Sequence, residues 1–157
     1  MTSTMAAPTA PPQTAAAAAP VPRLEDFLWT ARLSNWRWLL ALAAAVACIA
    51  HIPVIGPHLA EAPYMGEEFI VLTVACGLLA LAALICDSTA VYALSAVTCG
   101  LAVIGYVATR LITFPMLADD VGNWFEPLGV VSVLAEATAV TAALSCLLGS
   151  SARRNRY

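Results

Sequence analysis

The sequence predicts an all-α protein: a four-helix transmembrane bundle with a short N-terminal interfacial helix and a disordered, Ala/Pro-rich N-terminus. Three observations carry this. With 61% hydrophobic and 11% charged residues and a mean hydropathy of +0.84, the 157-residue chain is far more apolar than a soluble domain of its size. Crossing a bilayer takes about 20 mainly apolar residues per helix, and segments of that kind occur four times. The seven basic residues are all arginine, and six of them flank the apolar segments: Arg23, Arg32 and Arg37 before the first, Arg153, Arg154 and Arg156 after the last.

Residues 1–22 are mostly alanine, proline and threonine, with an Ala15–Ala19 run and no arginine or lysine. Such a segment cannot bury a core and is expected to be disordered. It lacks the charged start and apolar h-region of a signal peptide, so the first apolar run reads as a retained span. Over residues 23–36, Leu24, Phe27, Leu28 and Ala31 fall at helical spacing, which fits a short interfacial helix. Trp29, Trp36 and Trp38 then belong at headgroup level, where indoles are enriched.

Spans are expected over residues 38–55, 69–85, 90–111 and 128–148. Asp87-Ser88-Thr89 is a tight link between the second and third, and the other connections are loops at 56–67 and 112–127. Residues 23–148 thus form one unit, followed by a basic tail at 149–157. Arginines in short flanking segments favour the cytoplasm, which places both termini inside and the chain as a multi-pass protein of the cell membrane. An even number of spans agrees, and the two loops then face outward.

The basic tail Arg153-Arg154-Asn155-Arg156 is too small for a phosphate footprint, so nucleic-acid binding has no support. Cys48, Cys76, Cys86, Cys99 and Cys146 all lie within or at the ends of apolar segments, with no C-x-x-C pair. That reads as buried small side chains rather than a disulfide framework or a zinc site.

His51, Arg110 and Glu136 are ionisable residues inside spans, and a charge at that depth costs several kcal/mol unless it is paired or serves a pathway. Ala44, Ala47 and Cys48 share a stripe with His51, while Gly129, Ser132, Ala139 and Ala143 share one with Glu136. Small residues let membrane helices approach closely, so His51 and Glu136 are expected to face into the bundle, where they either meet as a pair or stay apart. Such a pair is either a register-fixing hydrogen bond or part of a metal, haem or proton site. Arg110 is expected to reach outward to Glu67, Glu68, Asp119 or Asp120.

His58, Glu61, Glu67, Glu68, Asp119 and Asp120 place further ligand-type side chains on the outer face. Together with His51 and Glu136 they form a candidate set for a transition metal ion or a cationic ligand. His51 and His58 would share a face on a continuous helix, but Pro53, Gly56 and Pro57 argue against continuity. Acids are also tolerated outside, and short turns call for Asp, Asn, Gly and Pro on their own account. Asp119-Asp120 followed by Gly122-Asn123 is turn chemistry of that kind, and Trp124 and Phe125 suit an interfacial anchor.

The set His51-x-Pro53, His58-Leu-x-Glu61-Ala-Pro-Tyr-x-Gly66 and Asp119-Asp120-x-Gly-Asn-Trp-x-Glu126-Pro-Leu-Gly129, with Glu136 following, resembles small bacterial four-span integral membrane proteins of uncharacterised function. The resemblance covers residues 38–148. It implies the four-span fold and a role for these outer positions, and it brings no activity, cofactor or catalytic residue.

Three functions remain open from the sequence. One is a binding protein with an outward His/carboxylate pocket for a metal ion or cationic ligand. The second is a structural or assembly subunit, its small-residue faces binding a membrane-protein partner or a second copy. The third is a proton-coupled transporter component with His51 and Glu136 as relay. Enzymatic activity ranks last, because the outer loops hold no serine or cysteine nucleophile near a histidine and the chain no glycine-rich phosphate loop.

Overall fold

The structure, a computed structural model, describes residues 24–29 and 34–154. The expected disordered tail at 1–22, Arg23, Arg32 and Arg156 lie outside them, and the side chains of Trp29, Arg153 and Arg154 are likewise not described. The described residues form helices α1 (Leu24–Trp29), α2 (Trp36–Glu61), α3 (Pro63–Ile85), α4 (Thr89–Leu111) and α5 (Pro127–Arg154), with a 3₁₀ turn at Ala118–Asp120 and no strand. Four of these, α2 to α5, are long and apolar enough to cross a membrane, so the chain is a multi-pass membrane bundle by helix length and composition.

Small side chains decide which helices meet. Of the expected stripes, Ala44 and Ala47 on α2 and Ser132, Ala139 and Ala143 on α5 are buried and Cys48 and Gly129 half-buried, and Ala43, Ala50, Ala135 and Ala142 are buried beside them. Helix α2 sits between α3 and α5, α5 also packs on α4, and α3 meets α4 less extensively. Leu42, Ile49, Leu78, Leu101 and Leu134 point outward from the four helices, an apolar coat suited to lipid.

The first connection departs from expectation. Instead of a loop at 56–67, α2 runs on to Glu61 and α3 begins at Pro63, with Ala62 alone (φ −137°, ψ 85°) turning the chain. Pro53 and Pro57 lie inside α2 without ending it. Each removes one i→i−4 hydrogen bond, which neighbouring helices and small local adjustments make tolerable inside a bundle. The turn is tight enough that a Cβ on Gly66 would lie 2.6 Å from the Leu59 backbone nitrogen. Pro63 suits the first turn of α3, where its missing N–H is no loss.

At the opposite end, Asp87 and Ser88 make the tight link expected between the second and third spans. Asp87 adopts φ 41° and is buried. Its Oδ1 accepts from the Tyr92 hydroxyl at 2.6 Å and its Oδ2 from the Ser34 amide at 3.2 Å, with Arg37 Nη1 at 4.0 Å. Ser88 caps α4 by accepting from the Val91 amide at 3.5 Å. One carboxylate thus ties the entry to α2 to the α3–α4 link.

Residues 112–126 cross the end of the bundle near Ala62. Leu117 is buried against Ala62 and Met65, with Phe69 and Phe114 alongside. The Tyr64 hydroxyl donates to the Pro115 carbonyl at 2.7 Å, the Tyr106 hydroxyl to the Trp124 carbonyl at 2.8 Å, and the Gly122 amide to the Arg110 carbonyl at 3.0 Å. Gly122 sits at φ 79°, where a side chain would be strained. The segment is a roof, strapped to both α3 and α4.

Candidate functional site: a cavity under the roof

Beneath this roof lies a cavity of about 440 Å³ lined by all four long helices. Its floor holds His51 and Glu136, 3% and 2% exposed. Because α2 continues to Glu61, His51 is ten residues from the roofed end of its helix and Glu136 nine from the start of α5, roughly 15 and 14 Å at 1.5 Å per residue. Equal depth on two helices in close contact lets the side chains meet, with His51 Nε2 and Glu136 Oε1 3.4 Å apart. That approach lacks the alignment of a formed hydrogen bond, and Glu136 Oε1 has no other partner. His51 Nδ1 is likewise buried without a hydrogen-bond partner.

The continuous α2 also puts His51 and His58 on one face, contrary to the break expected at the prolines. Phe69 of α3 lies against both rings, 5.5 Å from His51 and edge-on 4.8 Å from His58. His58 Nδ1 is 2.8 Å from the Val54 carbonyl of its own helix. Its position is therefore set by α2 itself.

Arg110 reaches the roof, and of the four acids expected to meet it Asp120 does. Arg110 Nη1 is 2.8 Å from Asp120 Oδ1, and the guanidinium lies over the Tyr106 ring at 4.7 Å. Glu126 directs both oxygens to the first turn of α5, accepting from the Leu128 and Gly129 amides. A carboxylate there satisfies helix-end donors and complements the helix dipole. Pocket-facing charge is thus partly neutralised at the roof and left unanswered lower down.

The eight candidate ligands divide accordingly. His51, His58, Glu68, Asp120 and Glu136 line the cavity, whereas Glu61, Glu67 and Asp119 are exposed and do not. Among the described residues no three His, Cys, Asp or Glu side chains converge as metal ligands. The set expected from the sequence therefore does not assemble into a metal centre, because the α2–α3 turn directs Glu61 and Glu67 outward and Asp120 is taken up by Arg110.

Other contributors went unsingled in the sequence. Phe69, Leu72, Phe114 and Leu128 give the cavity a mainly apolar wall. Below the floor, Cys48, Cys76 and Cys99 lie one turn beneath His51, Leu72 and Ala102 on three helices, with Cys76 and Cys99 buried in the same core cluster. The signal available was the i, i+3/i+4 spacing from each cavity residue, which is shared with ordinary core packing.

The chain matches no protein-family model, no curated protein and no solved structure, so the shape and chemistry of this cavity carry the functional argument alone.

Proposed function

We propose that the protein is a membrane binding protein whose roofed cavity takes a small organic cation. The observation that carries this is the Glu136 carboxylate: 2% exposed, on the cavity floor, with Oε1 lacking a hydrogen-bond partner. A buried acceptor left unsatisfied is costly, and a bound cation would satisfy it. Arg110 is matched by Asp120 and Glu126 by helix amides, which leaves Glu68, and Glu136 with only His51 Nε2 at 3.4 Å, as the carboxylates to draw a positive ligand inward. A cavity of about 440 Å³ with a largely apolar wall suits an organic body, since small-molecule sites of roughly 300–1,000 Å³ combine such walls with a few placed polar groups. A bare metal ion would need more convergent ligands than the floor offers. In this reading the roofed end faces outward and the arginine-flanked ends, with α1 in the interface, face the cytoplasm.

The test is calorimetric titration of the detergent-purified protein with benzyltrimethylammonium, with its uncharged isostere neopentylbenzene as competitor. Saturable binding of the cation is expected, with Glu136→Gln weakening it at least tenfold and the neutral isostere failing to displace it. No cation binding, or equal affinity in Glu136→Gln, sinks the reading.

A further inference from the structure

The cavity has a side as well as a roof. Helices α3 and α4 are joined at the Asp87–Ser88 link, where Asp87 accepts from Tyr92, and both contribute to the buried core up to the level of Cys76 and Cys99. Above that level the space between them belongs to the cavity: Glu68 and Leu72 line it from α3, Ala102 and Gly105 from α4. Both rims are open. Glu68 is exposed, and so is Gly105, where an added Cβ would meet nothing within 4 Å. Leu101 and Ile104 on the same stretch of α4 are 63% exposed, which makes the surface just outside the cleft a lipid-facing one.

The roof, in contrast, is closed by the Tyr64–Pro115, Tyr106–Trp124 and Arg110–Asp120 contacts. A ligand arriving from water has to break this strapping, whereas one already in the bilayer meets a cleft with no bond across it above the thiols among the described residues. Glu68 marks the rim at the start of α3 and Glu136 the floor, so the route carries a carboxylate at each end. Resting on the cation-binding reading above, we infer that the α3–α4 cleft is a lateral portal and that the ligand is a cationic amphiphile partitioned in the membrane. Its ammonium head sits at Glu136 and its alkyl chain passes out between Leu72 and Gly105 into lipid. Charge complementarity selects the head, and burial against Phe69 and Leu72 selects an apolar body.

The experiment uses the full chain in phosphatidylcholine nanodiscs and a dodecyltrimethylammonium probe carrying a mid-chain diazirine. After irradiation, peptide mapping should find label concentrated on residues 68–79 and 98–105, suppressed at least fivefold by excess benzyltrimethylammonium. Ile104→Trp, beside the cleft and outside the cavity lining, should cut this competed labelling at least fivefold while leaving benzyltrimethylammonium affinity within twofold of wild type. Competed label spread over the outer faces of α2 and α5, or unchanged labelling in Ile104→Trp, overturns the portal and leaves the cation site standing. Failure of benzyltrimethylammonium itself to bind overturns both.

Discussion

Glu136 Oε1 lies 3.4 Å from His51 Nε2 across the α2–α5 contact, with both side chains almost wholly excluded from solvent. Removing one member leaves the other buried without even this contact, at a cost of about 1–3 kcal/mol, whereas replacing both with apolar groups of similar shape is often neutral. His51→Ala and Glu136→Ala should each lower the thermal midpoint clearly. His51→Phe combined with Glu136→Leu should recover most of the loss. The buried cysteines allow the transition to be followed with a thiol-reactive dye in detergent. Wild-type midpoints for both single variants would show that the pair contributes nothing to folding.

The roof hangs on Arg110. Its Nη1 to Asp120 Oδ1 contact fixes the 3₁₀ turn, and its carbonyl receives the Gly122 amide. A hydrogen bond to a charged group contributes about 1.5–3 kcal/mol, so Asp120→Ala should loosen residues 112–126 without unfolding the helices. Hydrogen exchange is the measurement. Protection at Gly122 and Trp124 should fall by at least tenfold while α5 amides beyond Ser132 stay protected; equal protection in the variant would mean that apolar packing of Leu117 alone holds the roof.

Cys76 on α3 and Cys99 on α4 are free, buried neighbours in one core cluster. Iodine, which removes two electrons and two protons from a thiol pair as iodide and acid, should crosslink Cys76 to Cys99. Mass spectrometry after alkylation should show two fewer reactive thiols and a peptide joining α3 to α4. Either Cys76→Ser or Cys99→Ser should abolish it. A crosslink that persists in both variants would place different cysteines together.

Helix bounds were legible wherever hydropathy changed sharply: α4 and α5 begin within a residue of expectation. The α2–α3 corner was not, because Pro53, Gly56 and Pro57 read as helix breakers, yet α2 runs through all three on its exposed side. That misplacement also hid the equal depth of His51 and Glu136. Their inward orientation was still readable from the alanine stripes, since close approach requires small residues wherever it occurs. What single-sequence reasoning lacked was the direction of side chains near turns. Ala62, Met116 at φ 62° and Gly122 set whether Glu61, Glu67 and Asp119 face the cavity or solvent, and no periodicity extends through such residues.

Asp87 separates two contributions at one position. It holds φ 41°, a conformation that costs a typical L-residue about 1–2 kcal/mol and glycine almost nothing. Its carboxylate also accepts from Tyr92 and Ser34 beneath 2% exposure. Asp87→Gly loses the contacts and relieves the backbone, whereas Asp87→Ala loses the contacts and keeps the strain. Both variants should be less stable than wild type in denaturant titration, with alanine below glycine by roughly 1 kcal/mol. If glycine matches wild type, the two hydrogen bonds contribute no more than the backbone relief that glycine brings; if alanine equals glycine, the left-handed geometry relaxes on substitution and the tight link is not what positions Tyr92.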